Sequence, residues 1–164
     1  MIDIQEEYQL TEERMHKFLL LLDIYFEIIK GNVKHPRAKE WASLLLEIVY
    51  SYFYSVIDDR DDSINVFRIW KKKYPDHLEE ISRIEVEIEP YKAFFMKLRH
   101  NVGFHGSTSQ KGNKVGMQLF KNVDGKVALE LMLAVRNLST HLISVHKKID
   151  RKLPPYQCVV CNKV

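Results

Sequence analysis

The feature that most constrains this chain is how rarely it is punctuated. Its 164 residues hold only six Gly and five Pro. These breakers cluster at a few places and leave long uninterrupted stretches between them. Such spacing favours helices over many short strands. Apolar residues make up 46% of the chain and charged residues 29%. That balance is globular and sufficient for a real core in one domain.

Apolar periodicity places the helices. Thr11, followed by Glu12 and Glu13, reads as an N-cap with acids in the first turn. Met15, Phe18, Leu19, Leu22, Phe26 and Ile29 then recur at three and four residues until Gly31, predicting a helix over 11–30. Pro36 suits the first turn of a second helix. Its apolar face, Trp41, Leu44, Leu45, Ile48, Val49, Tyr52, Phe53 and Val56, predicts a central and largely buried helix ending near Ile57.

The cluster Asp58, Asp59, Asp61 and Asp62 interrupts the pattern, and Asp62 or Ser63 can cap a short third helix through about Lys73. Pro75 opens a helix that buries Ile81, Ile84 and Ile88. Pro90 kinks or breaks it, and Phe94, Phe95, Leu98 and Val102 resume it. Gly103, Gly106, Gly112 and Gly116 predict a loop over about 106–124, with a short strand-like piece at Val115 to Phe120. A last helix, 126–149, faces inward with Val127, Leu131, Val135, Leu138, Leu142 and Val145. The expected fold is all-α: a bundle of four to five main helices over 1–153, with a Gly-rich loop before the last helix and a tail over 154–164.

Several classes are set aside. The opening MIDIQEEYQL carries acids where a signal peptide carries bases. The most apolar run, Phe18 to Ile29, is broken by Asp23 and Glu27 and is too short for a bilayer. A cytoplasmic protein without membrane attachment is expected. Cys158 and Cys161, both near the end, form no disulfide framework. They read as inert tail cysteines or as half of a zinc knuckle.

The net charge of +3 is unevenly spread. Asp76 to Glu89 holds six acids and one base, whereas Tyr91 to Val123 holds six Lys or Arg and no acid. The basic stretch can face an anionic ligand or pair with the acidic stretch beside it. The dense aspartates at 58–62 suit a helix stop and a solvated turn better than a cation loop. Tyr50, Tyr52, Phe53, Tyr54 and Trp41 suit packing better than base stacking.

Within the basic stretch lies LRHNVGFHGS, residues 98–107. Arg99 can grip a phosphate through two donors, and a histidine exchanges protons near neutrality. Arg99 and His105 at the mouth of a Gly-rich loop are a minimal kit for RNA phosphodiester cleavage. The His activates the ribose 2′-hydroxyl or protonates the leaving oxygen, and the Arg holds the phosphate as charge builds. Neither a metal nor another cofactor is required. Six positions on an ideal helix differ by about 120°, so the helix must end or bend between the two residues, or a second chain must share the site. The structural alternative pairs Arg99 with an acid of the preceding helix and uses His105 as a C-terminal cap.

An Arg, a polar residue after it, and a His a few positions on, in a small helical bundle, resemble the HEPN superfamily. Its motif separates Arg from His by four to six residues, and LRHNVGFHG has five intervening, with His100 directly after Arg99. The resemblance implies a metal-independent endoribonuclease of toxin–antitoxin or phage-defence type. It implies a homodimer whose two motifs face one cleft, RNA as substrate, and an antitoxin or other partner protein. Arg99 would bind the scissile phosphate, His105 would act as general acid/base, and His100 and Asn101 would orient the substrate or His105. Other members of the superfamily have lost catalysis and bind partners or nucleotides, so a non-catalytic interaction module is the alternative. A second match, Arg136 to His141 with four intervening residues, supplies reserve candidates inside the last helix.

Overall fold

Phe18, Phe53 and Phe95 are fully buried and come from three different helices. Their rings meet at the centre of the fold, with centroids 5.2 Å apart for Phe18–Phe53 and 4.8 Å for Phe53–Phe95. The computed structural model describes residues 4–60, 63–101 and 125–149. Six α-helices occupy them: α1 (Ile4–Ile29), α2 (Ala38–Ile57), α3 (Val66–Lys73), α4 (Leu78–Ile88), α5 (Lys92–Asn101) and α6 (Gly125–Ile149). Among the described residues there is no strand, and no helix is long and apolar enough to cross a membrane. The architecture is an all-α bundle. The Gly-rich loop, the proposed strand-like piece at 115–120, Asp61 and Asp62, and the tail with its two cysteines lie outside the described residues.

α1 and α2 form an antiparallel hairpin on which the rest is built. α1 starts at Ile4, a full two turns before Thr11. Thr11 is not a cap. It is buried, and its hydroxyl donates to the Glu7 carbonyl one turn back at 2.7 Å. A Thr that bonds backward in this way sits inside a helix rather than at its start. The other end follows the expectation. Gly31 adopts φ +79°, Gly31 N–H donates to Ile28 O and Asn32 N–H to Glu27 O, each at 3.1 Å. This is the Schellman arrangement, which satisfies the last carbonyls and needs a left-handed residue.

α2 differs more. Val49, Tyr50, Phe53, Tyr54 and Val56 are buried, but Trp41, Leu44 and Ile48 are exposed, Leu44 at 61%. The helix is apolar around more of its circumference than the bundle covers. α5 packs against the Tyr50 and Phe53 flank through Phe94 and Phe95. Ile48 sits about 160° round the helix from Tyr50, on the other side.

α3 is capped by Asn65, neither Asp62 nor Ser63. Asn65 is buried, its Oδ1 accepts from Arg68 N–H at 3.0 Å, and its Nδ2 donates to Ile57 O at 3.3 Å. One side chain therefore ends α2 and starts α3. Pro75 opens a short 3₁₀ turn, Pro75–His77, that leads into α4, and Ile81, Ile84 and Ile88 are buried as expected. Pro90 sits in a second 3₁₀ turn, Glu89–Tyr91, that separates α4 from α5. α6 buries Leu131, Val135, Leu138 and Leu142, and also Ala128 and Met132.

Candidate functional site

The C-terminal turn of α2 and the length of α5 together build the surroundings of Arg99. Asp58 follows the last residue of α2 and is buried, with 2% of its side chain exposed. Arg60 folds back onto it. The Arg60 Nε donates to both carboxylate oxygens at 3.1 and 3.0 Å, Nη2 donates to Oδ2 at 2.7 Å, and the Arg60 backbone N–H donates to Oδ1 at 3.3 Å. Burial alone pushes the Asp58 carboxyl up. Hydrogen bonds from Arg60 and Ser63 outweigh it and hold the carboxyl below its ordinary value.

α5 lies alongside with Lys92 and Arg99 toward this turn. Lys92, in its first turn, donates to Asp59 at 3.0 Å and to Glu89 at 2.6 Å. Arg99, in its last turn, stands with Nη1 3.9 Å from Asp58 Oδ2 and its guanidinium 5.7 Å over the Tyr54 ring. A separation of 3.9 Å is beyond hydrogen-bond reach, so this is an electrostatic and cation–π setting rather than a bidentate clasp. One third of the Arg99 side chain is exposed. Tyr54 feels the same charges. Burial and Asp58 raise its phenol, while Arg60 opposes them.

The described part of the basic stretch thus has acidic neighbours: Asp58 at Arg99, and Asp59 with Glu89, the last acid of the 76–89 segment, at Lys92. His100 and Asn101 are the last residues described for α5, and only their backbone is described. His105 lies outside the described residues, as do Gly103 and Gly106. α5 is described to Asn101.

The reserve candidates are separated. Arg136 Nη2 pairs with Asp23 of α1 at 2.7 Å. His141 Nε2 is 3.8 Å from Glu80 of α4, and its ring meets His77 edge to face at 5.4 Å. Both residues belong to continuous α6, where five positions turn the side chains about 140° apart. One therefore reaches α1 and the other α4.

Sequence reasoning passed over His77 and Glu80. Their spacing of three, across a Pro-initiated turn into a helix, was the available signal. His141 joins them only through the packing of α6 on α4. Searches of protein-family models, of curated proteins and of solved structures find no match to this chain, so its likeness to the HEPN superfamily stands on the Arg99–His105 motif and the helical layout.

Proposed function

We propose that this chain is a HEPN-like, metal-independent endoribonuclease of toxin or defence type, acting as a cytoplasmic homodimer on RNA. Arg99 binds the scissile phosphate, and His105 is the general acid/base. His100 and Asn101 orient the substrate or His105. The carrying observation is the state of Arg99. Its neighbour Asp58 is already satisfied by Arg60, so Arg99 is drawn to the site by charge without spending its donors there. A guanidinium held in place, partly exposed and, among the described residues, not clasped by a carboxylate suits a phosphate.

The reaction needs no added group. The 2′-hydroxyl loses its proton to a base and attacks phosphorus, and the leaving 5′-oxygen gains a proton as a cyclic phosphate forms. The test is incubation of RNA with the purified chain in EDTA. His105→Ala with an unchanged circular dichroism spectrum should lose about 10²–10⁴-fold in cleavage rate. Unchanged cleavage by that variant overturns the assignment.

A second reading, a helical module that binds a partner protein without catalysis, is favoured by the exposed row Trp41, Leu44 and Ile48. An exposed apolar row of this kind is a contact surface rather than a core. It lies on the side of α2 away from Tyr50 and α5. A chain that leaves RNA intact, and that binds a partner protein which Leu44→Arg releases, favours this second reading.

A further inference from the structure

We infer that His77, Glu80 and His141 form a binding site for one divalent transition-metal ion of the zinc class. The site is separate from Arg99 and does not rest on the nuclease reading. One ligand atom from each of the three residues lies within 4.8 Å of the other two. Glu80 Oε2 is equidistant from the two imidazoles, 3.8 Å from His77 Nδ1 and 3.8 Å from His141 Nε2. These separations exceed hydrogen-bond reach, so the three groups converge without bonding one another. Zinc–nitrogen bonds of about 2.0–2.1 Å at tetrahedral angles bring ligand atoms to roughly 3.4 Å from each other. The two separations from Glu80, 3.8 Å each, exceed that by only roughly 0.4 Å.

The local structure fixes two of the three donors. His77 N–H donates to Tyr74 O at 3.0 Å and closes the turn that Pro75 begins. Glu80 follows three positions later in the first turn of α4, on the same face as His77. His141 arrives from the middle of α6, which packs on α4. His77 and Glu80 are half-buried and His141 is exposed, so an ion has an entry path and keeps a position for water.

The donor set selects the class of ion. Two imidazole nitrogens with one carboxylate oxygen suit zinc and its neighbours in the first transition row. Magnesium and calcium prefer sites made of oxygen alone. Bound metal would clip the start of α4 to α6, two elements far apart in the chain.

The test uses the full-length, untagged chain carrying Cys158→Ser and Cys161→Ser, which removes the tail thiols as a rival site. After EDTA treatment and dialysis, zinc chloride is titrated calorimetrically, and Tm is followed with and without zinc. The expected result is one ion per chain and a rise in Tm with zinc. His77→Ala combined with His141→Ala should weaken binding by more than 100-fold and remove the Tm rise. That exceeds the roughly 10–100-fold typical of losing an outer partner of a metal ligand. Glu80→Gln, which keeps the shape of the side chain, should weaken binding in the same direction. Absence of zinc binding in the thiol-free chain overturns the inference, as does unchanged affinity in the double histidine variant. Cleavage of RNA in EDTA, with zinc removed, tests the nuclease reading apart from this one.

Discussion

Two places in this chain carry an Arg followed by a His after four or five intervening residues, and their arginines stand in different settings. Arg136 and His141 sit in an uninterrupted helix, and each is drawn to a different neighbour, Asp23 on α1 and Glu80 on α4. Arg99 sits in the last turn described for α5, beside a buried carboxylate that another arginine has already clasped. Spacing along a sequence therefore says little about facing in space inside a helix. Inside a helix, five positions separate two side chains by about 140°. The setting of each Arg then decides its part. Arg136 makes a direct ion pair between two half-exposed groups, whereas Arg99 stands 3.9 Å from a carboxylate that Arg60 already holds.

Phe95 anchors α5 to Phe53 and is fully buried, so Phe95→Ala should have the largest effect, about 3–5 kcal/mol of lost stability. Urea denaturation followed by circular dichroism measures it. A loss under about 1 kcal/mol would mean that α5, and Arg99 with it, is not fixed by this aromatic centre.

The two carboxylates that face the two arginines should respond unequally. Asp58→Asn leaves Arg60 and Arg99 without their buried counter-charge and should cost about 1–3 kcal/mol at neutral pH. Asp23→Asn removes only an exposed partner and should cost at most about 1 kcal/mol. The effect at Asp58 depends on pH with a definite sign. Its carboxyl is held below the ordinary value, so its contribution is complete above about pH 3.9 and is lost as pH falls through the lower folded value. Denaturation curves of wild type and Asp58→Asn should therefore converge in strong acid. A gap that persists there would show that the variant acts through packing rather than charge.

Much of the bundle was legible in the sequence. Gly31, Pro75 and Pro90 punctuate the structure where they punctuate the chain, and the isoleucines of α4 are buried at their expected spacing. The misreadings have physical causes. Thr11 looks like a cap, but its hydroxyl serves the helix interior equally well, and only the backbone before it decides between the two. Ser63 looks like a cap too, yet Asn65 satisfies both α2 and α3 at once. Trp41, Leu44 and Ile48 read as core because periodicity reports which residues are apolar, not how many neighbours arrive to cover them. At the candidate site, Arg99 was singled out by its acid-free segment. Its partners, Asp58 and Tyr54, are brought close only by the packing of α5 on α2. The His77, Glu80 and His141 group was illegible for the same reason, since its third member comes from a distant helix.

The most direct measurement is the rate of RNA cleavage in EDTA by wild type, Arg99→Ala and Arg136→Ala, each checked for an intact fold. Arg99→Ala should lose about 10²–10³-fold, the size of a lost charge-stabilising contact in the transition state. Arg136→Ala, whose ion pair is half-exposed and weak, should keep a rate within roughly threefold of wild type. No cleavage by wild type, or a loss confined to Arg136→Ala, would contradict the assignment of Arg99.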